Sequence, residues 1–339
     1  MKKVLVIVVT YNGMKWLDRC LGSVCAPSGK MAQNPDEGAE NGVPSGKMAQ
    51  NPDGSLVVDL FVVDNDSTDG SADYIQGHFP QVKLIRCAEN LGFSKANNLG
   101  FEYALKKGYD YVYLLNQDAW LEAGALETLV AAADSHPEYA VLSPLQYQDG
   151  YKELDRQFAN KASASLSGTS GHPRPDKRER PAGEASGRGR EATVQESDAD
   201  AEPIRLPFVM AAHWLVPTAA IRKIGLFNED LFPLYGQDDD WCNRARYHGF
   251  TVGVVPEARA VHDRAQRKEA KEKIIDRNYR IGSLVRLCDI NRPLWERFLF
   301  VCLFTAVKTA KYVSFLPLKH FISICKALPT VRKCRRHAI

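Results

Sequence analysis

Acidic side chains gather where the sequence changes character. Asp64 follows Val62-Val63, and Asp118 follows Leu114-Leu115-Asn116-Gln117. Both close apolar runs, so both fall at the end of a buried strand. Farther on, Asp238-Asp239-Asp240 opens a helical stretch and His262 closes a short strand-like run. A carboxylate at a strand end can hydrogen-bond a base or ribose. It can also hold a divalent cation, since Mg²⁺ usually takes one or two carboxylates plus substrate phosphates. Three acids at a helix start also suit the helix dipole and capping. Consecutive helical residues fan out about 100° apart, so at most one or two of the three reach a single cleft.

The elements that must position these groups follow from the pattern. Val4-Leu5-Val6-Ile7-Val8-Val9 reads as a strand buried on both faces. Helix Met14 to Val24, strand Leu56 to Val63, a turn cluster Asp64 to Gly70 opening another helix, and strand Gln81 to Cys87 come next. Helix Ser94 to Lys107 and strand Tyr109 to Leu115 complete a βαβαβαβ alternation. That alternation predicts a doubly wound α/β domain, which binds ligands outside the carboxyl ends of its strands. Downstream, Phe208 to Val216 reads as a strand, Thr218 to Gly225 and Asp238 to His248 as helices, and Phe250 to Val255 and Ala258 to His262 as two short strands. Helical sequence resumes near Arg267.

Composition narrows the classes. The 339 residues are 45% apolar and 25% charged, which excludes a disordered, collagenous or coiled-coil chain. The eight cysteines form no Cys-x-x-Cys pair, against a zinc ribbon, a thioredoxin-type motif or a disulfide scaffold. No Gly-x-Gly-x-x-Gly follows the first strand and no P-loop motif occurs, so the two commonest nucleotide folds are disfavoured. The opening Met1-Lys2-Lys3 and six apolar residues are too short for a signal peptide, which predicts a cytoplasmic chain.

Two segments interrupt the alternation. Pro27 to Asp36 recurs letter for letter as Pro44 to Asp53, a duplication too polar and too rich in Pro and Gly to form a repeat core. The stretch from about Ala159 to Glu202 is rich in Ser, Gly, Arg, Glu and Pro, and is expected to be a mobile loop. Its functional alternative is a lid or acceptor-gripping loop.

Five ordered motifs resemble family 2 glycosyltransferases, inverting enzymes of the GT-A fold that use nucleotide-activated sugars. They are Thr10-Tyr11-Asn12, Val62 to Ser71, Asn90 to Gly100, Leu114 to Asp118, and the downstream signature of Ile224 to Glu229, Gly236 to Arg244, Gly249-Phe250 and His262. The wording around Asn116-Gln117-Asp118 most resembles the rhamnosyltransferase-like branch of surface polysaccharide synthesis. The resemblance implies a GT-A fold, Rossmann-like and doubly wound with a mostly parallel sheet, over residues 1–265. It implies that Thr10, Tyr11, Asn12 and Asp64 cradle the nucleoside, and that Asn90, Gly92 and Asn97 line the sugar-diphosphate side. Asn116 and Gln117 join that donor-binding set. Asp118 matches the last acid of the family's Asp-x-Asp metal motif, whose first acid is Asn116 here. His262 is then implied as a second metal or diphosphate contact, for Mg²⁺ or Mn²⁺. Asp238 and Asp240 are the catalytic candidates, with Asp238 as the base that deprotonates the acceptor hydroxyl and Asp240 oriented toward Arg244. Gln237 stands where the family has Glu, and Asn228 where it has Asp.

The remaining residues, 266–339, predict a helical, basic, amphipathic extension. Residues 264–339 carry 18 basic and 5 acidic side chains, against 26 and 36 in residues 1–263. Phe298 to Val307 is too short to span a bilayer. On one continuous helix Arg297, Lys308, Lys311, Lys319 and Lys326 share an arc of about 80°, with Phe298, Leu299, Phe300, Leu303 and Phe304 beside them and Arg332 to Arg336 beyond. Pro317 should kink or split that helix. An apolar helix with a basic stripe suits an anionic membrane surface and not a nucleic acid; the alternative is packing on the catalytic domain.

The function expected from all this is transfer of a sugar from a nucleotide-sugar donor to a glycan or lipid-linked acceptor in cell-surface polysaccharide synthesis, by an enzyme peripheral on the inner face of the membrane. Two rivals differ in class: a non-catalytic GT-A-like binding protein, kept open by Asn116 and Gln237, and a sugar nucleotidyltransferase. The second should show a Gly-rich, basic loop after the first strand, which Thr10-Tyr11-Asn12-Gly13 is not.

Overall fold

Alternate residues of the first strand, Lys2–Thr10 (β1), enter different cores. Leu5 and Ile7 pack on one face of the sheet with Phe61, Phe101, Leu114, Trp214 and Trp241. Val4, Val6 and Val8 pack on the other with Leu17, Leu21, Ile75, Tyr113 and Leu129. A strand covered on both sides needs an unbroken apolar run, and β1 has one. This computed structural model describes residues 1–25, 56–156, 158–159, 202–264, 271–312 and 316–338. The duplicated segment at 27–53 and nearly all of 159–202 lie outside them.

Helix Leu17–Cys25 (α1) follows β1 through a short 3-10 turn at Met14–Trp16. The alternation continues with Leu56–Asp64 (β2), Ser71–His78 (α2), Lys83–Arg86 (β3), Gly92–Lys107 (α3) and Tyr111–Asn116 (β4). Strands β3, β2, β1 and β4 lie side by side and are all parallel, with Thr10 opposite Asp64 and Val9 opposite Asn116. The carboxyl ends of β1, β2 and β4 therefore form one rim.

Past β4 the sheet turns mixed. Ala119–Leu121 (β5), Ala125–Ser135 (α4), Tyr139–Tyr147 (β6), Ile204–Leu206 (β7), His213–Pro217 (β8), Thr218–Ile224 (α5), Gln237–Tyr247 (α6) and Thr251–His262 (β9) complete the layer. The order beyond β4 is β8, β6, β9, β5, with β7 also on β9. β8 runs antiparallel between β4 and β6, whereas β6 and β9 are parallel. Most paired residues lie in parallel ladders, so the sheet is doubly wound and mostly parallel, as expected of GT-A.

Two readings of the sequence are corrected. The run Phe208 to Val216 is not one strand: only His213–Pro217 pairs with β4, and the Val209 and Ala212 carbonyls accept from Trp214 Nε1 and the Asn116 N–H instead. The two strands read at 250–255 and 258–262 are one long strand, β9, with a register shift opposite Pro144 and Leu145.

The C-terminal part forms four helices, Lys271–Cys288 (α7), Leu294–Tyr312 (α8), Leu316–Lys326 (α9) and Leu328–His337 (α10). They share a third apolar cluster with Leu231 and Phe232, built on Leu284, Leu287, Val301, Ile324 and Val331. α8 and α9 are separate helices, so the basic arc drawn on one continuous wheel does not exist as one face. Arg297 pairs with Asp289, and Arg335 donates to the carbonyls of Leu287, Asp289 and Arg292. These two cations hold the extension together instead of facing outward.

Candidate active site

Each strand-end motif is tied to the next by side-chain hydrogen bonds. Gln117, after β4, accepts the Thr10 hydroxyl at 3.0 Å and the Tyr11 N–H at 2.7 Å, and donates to the Tyr11 carbonyl. Asn12, at φ 50°, accepts the Thr68 N–H at 2.8 Å and donates its own N–H to Ser67. The loops after β1, β2 and β4 are thereby fixed to each other. Tyr11 remains largely exposed on this rim, while Thr10 is buried beneath it.

Asp64 is buried at the end of β2. One carboxylate oxygen accepts the Ser67 N–H at 3.2 Å, and the other, Oδ1, is buried without a hydrogen-bond partner. An orphaned buried acceptor calls for an explanation, and a ligand donor is one. The next residue, Asn65, carries the network onward: its amide donates to Asn90 Oδ1 and the Gly92 carbonyl and accepts the Leu91 N–H at 2.7 Å.

That loop reaches the segment that precedes the acidic triplet. Ser94 donates its N–H to the Pro233 carbonyl at 3.0 Å and its hydroxyl to that of Phe232. Gly92 sits at φ 77°, and a Cβ there would lie 2.7 Å from the Pro233 oxygen. Only glycine supplies both the left-handed backbone and the room. Asn97 is buried in α3 and donates to the Phe93 carbonyl, so its amide serves the helix. Asn98 beside it is bound to Phe227 N–H, Phe227 carbonyl and Glu229, holding the approach to α6.

Helix α6 begins after Gly236, at φ 89°. Its first turn holds all three acids, which the dipole favours. They have separate fates. Asp240 is buried and meets Arg244 Nε at 3.0 Å, while Arg244 also donates to the carbonyls of Ile224 and Leu226. Burial pushes the Asp240 carboxyl up, with Arg244 opposing that shift. Asp238 is half-buried and accepts the Asp239 N–H at 3.0 Å. Gln237 is buried with its Oε1 lacking a hydrogen-bond partner.

Asp118, in the turn between β4 and β5, meets His262 at the end of β9. Ala119 pairs with His262 across β5 and β9, and the Asp118 carbonyl accepts the Asp263 N–H. Arg264 Nε lies 3.2 Å from His262 Nδ1 and 3.4 Å from Nε2, and Nε2 lies 3.5 Å from Asp118 Oδ1. Burial outweighs the neighbouring Asp118 and lowers the His262 pKa. A neutral imidazole is the form that ligates metal. Among the described residues no three His, Cys, Asp or Glu side chains gather into a cage. One carboxylate and one imidazole fit an ion that takes its other ligands from phosphate oxygens and water. With a cation on one ring nitrogen the neutral imidazole would carry its proton on the other, so Arg264 Nε would have to move off the ring.

Asn65, Asn98 and Arg264 were not singled out from sequence. Asn65 and Asn98 lie inside the quoted motifs, but their roles depend on partners 25 or more positions away. Arg264 carried no local signal.

Comparison with known proteins agrees with this geometry. The sequence model for Glycosyl transferase family 2 matches residues 5–169. No curated protein matches the chain. Among solved structures, S. aureus TarS superposes with a TM-score of 0.51 at 14% identity, covering 88% of this chain and 42% of its own. The chain thus spans less than half of TarS. The mannosyltransferase PcManGT from Pyrobaculum calidifontis, in complex with GDP-Man and Mn²⁺, gives a TM-score of 0.51 at 15% identity over 99% of this chain and 84% of its own. GalNAc-T7 with UDP, GalNAc and Mn²⁺ gives 0.50 at 15% identity over 83% of this chain and 48% of its own. Residues 5–169 are a family 2 glycosyltransferase region, and the fold around them is GT-A.

Proposed function

We propose that this protein transfers a sugar from a nucleotide-diphosphate donor to a hydroxyl of a glycan or lipid-linked acceptor, with inversion at the anomeric carbon. One observation carries the reading. The motifs after β1, β2 and β4 and the loop before α6 are joined by hydrogen bonds into one rim, which holds the orphaned Asp64 oxygen and the Asp118–His262 pair.

In this reading Asp64 Oδ1 accepts an N–H or hydroxyl of the nucleoside, and Tyr11 covers it from the exposed side. Gln117 and Asn12 hold the loops that shape the pocket. Asn90 and Gly92 set the backbone beside the sugar diphosphate. Asp118 and His262 would hold a divalent cation, as the Mn²⁺ complexes of PcManGT and GalNAc-T7 suggest; such an ion supplies charge neutralisation for the departing diphosphate. Asp238 takes the acceptor hydroxyl proton as the oxygen attacks the anomeric carbon. The bond from that carbon to the diphosphate oxygen breaks, and the nucleotide leaves with the electron pair. No covalent intermediate on the protein is required. Asp240 acts through Arg244 to position the helix that carries Asp238.

Polysaccharide synthesis in the cell envelope, a rhamnosyl-type donor and residence at the inner membrane face belong to the same proposal. Division of the chain into a catalytic body, 1–265, and a C-terminal extension, 266–339, belongs to it as well. The test is release of nucleoside diphosphate from a panel of UDP-, GDP- and dTDP-sugars with Mn²⁺, Mg²⁺ or chelator. Metal-dependent release from one donor class supports the enzyme. Binding of a nucleotide without any turnover, with acceptor mixtures present, would leave the non-catalytic reading that Asn116 and Gln237 keep open.

A further inference from the structure

Helices α8 and α9 each have one face committed to the protein and one that is not. Val301 and Ile324 are buried in the third apolar cluster, and Phe298 packs against it. On the outer side of α8, Trp295 is 69% exposed, Leu299 52%, Leu303 60% and Val307 62%. Four large apolar side chains spaced four apart form a continuous stripe about 18 Å long at 1.5 Å per residue. On α9 Leu318 and Ile322, also four apart, are 44% and 54% exposed. A contiguous apolar surface of this kind marks an interaction site.

We propose that this outer face rests on an anionic lipid surface. Charge selects the occupant. Residues 264–339 carry 18 basic and 5 acidic side chains, the reverse of the balance in residues 1–263. Arg286, Lys319, Lys326, Arg332, Lys333 and Arg336 are exposed around the apolar helices. The Arg286 guanidinium lies 5.1 Å from the Phe300 ring centroid and the Lys308 ammonium 5.2 Å from that of Phe304, so cations sit directly beside the aromatic surface. A second copy would bring two strongly basic segments together and repel. A nucleic acid has no use for an apolar stripe. Among the described residues no helix is long and apolar enough to cross a membrane, so the helices lie in the plane of the interface.

The surface differs from the one expected on a single continuous helix. Phe298 and Phe304 turn inward, Phe304 stacking on Tyr279 at 5.6 Å, while Trp295 and Val307 take the outer positions. Tryptophan at the end of such a stripe suits the headgroup level. The proposal deepens the lipid-linked acceptor reading but stands without it.

The test is co-sedimentation of the full chain with phosphatidylcholine vesicles, with and without phosphatidylglycerol, at low and high salt. The protein is expected to pellet with the anionic vesicles and to be only partly released by salt. Leu299→Glu/Leu303→Glu/Val307→Glu should lose at least about tenfold in vesicle partition, since each new carboxylate would have to be desolvated and would face anionic headgroups. Its melting temperature should hold, because these side chains face solvent. As a second measurement on a minimal change, tryptophan emission should shift to the blue with anionic vesicles, and Trp295→Phe should reduce that shift. Recovery of the unaltered protein in the supernatant, equal pelleting of the triple variant, or a vesicle-free dimer dispersed by Leu303→Glu would each overturn the proposal. Sedimentation needs no turnover, so an inactive enzyme would leave this result readable.

Discussion

His262 Nε2 lies 3.5 Å from Asp118 Oδ1, with both side chains fully buried. They are brought together by the pairing of β9 with β5, which follows Asp118 directly; the two strands are far apart in sequence and adjacent in the sheet. Asp118→Ala should remove Mn²⁺-dependent affinity for nucleoside diphosphate, and His262→Gln should weaken it while keeping a polar contact. Titration calorimetry with and without Mn²⁺ reads both. Unchanged metal dependence in Asp118→Ala would end the metal assignment.

Asp238 and Asp240 should separate chemistry from structure. Asp238→Asn keeps shape and removes the base, so turnover should fall by roughly 10²–10⁴ with donor affinity and melting temperature nearly intact. Asp240→Asn strips the buried Arg244 of its counter-charge. Breaking a buried pair from one side costs about 3–5 kcal/mol. The check is a denaturation midpoint beside a turnover number for each variant. A catalytic loss in Asp240→Asn at unchanged stability would make Asp240, not Asp238, the reacting group.

The strand-end positions of these residues were legible because each motif is local: an apolar run, then a polar turn. The Asp240–Arg244 pair was legible too, from a spacing of four on a helix. What was hidden depends on distant partners or on how a loop turns. Arg264 reaches back to His262, two positions earlier, only through the path of the chain after β9, and Asn65 gives no sign of holding Asn90. The run at Phe208 to Ala212 has strand-like residues, but its carbonyls meet a side chain and a loop N–H. The third apolar cluster decided which face of α8 turned inward, and a helical wheel drawn through Pro317 contains no such information.

Stability should fall with acid through His213. Its Nε2 donates to the Val261 carbonyl at 3.0 Å, and its Nδ1 faces the Tyr113 hydroxyl at 2.9 Å. Burial holds its pKa down to about 3, from an ordinary value of 6.5. Below 6.5 the unfolded chain takes a proton that the folded one refuses until about pH 3. This group's contribution is therefore present above 6.5 and lost as pH falls through that window, at up to about 1.4 kcal/mol per pH unit. His213→Gln can keep both hydrogen bonds without the titration, so its unfolding free energy should vary less between pH 6.5 and 4. Parallel pH profiles for the two proteins would refute the assignment.

Two glycines with nearly the same backbone should respond differently to alanine. Gly236 has φ 89° and Gly249 φ 83°, both in the left-handed region that costs an L-residue roughly 1–2 kcal/mol. Around Gly249 an added Cβ meets nothing within 4 Å. At Gly236 it would lie 2.6 Å from Ile281 Cγ2, 3.0 Å from Phe232 Cδ1 and 3.1 Å from Val285 Cγ2. Helix α7 is thus packed directly on the turn that launches α6 and Asp238. Relieving that overlap requires α7 or the α6 start to shift, and overpacking typically adds about 1–3 kcal/mol. Gly249→Ala should lose only the backbone part and keep its turnover. Gly236→Ala should lose more stability and, because the displaced residue is two positions before Asp238, more activity than its stability loss explains. Urea midpoints and turnover under conditions where both variants are folded make the comparison. Equal losses at the two positions would mean that α7 gives way freely, and that the C-terminal helices do not help to position the base.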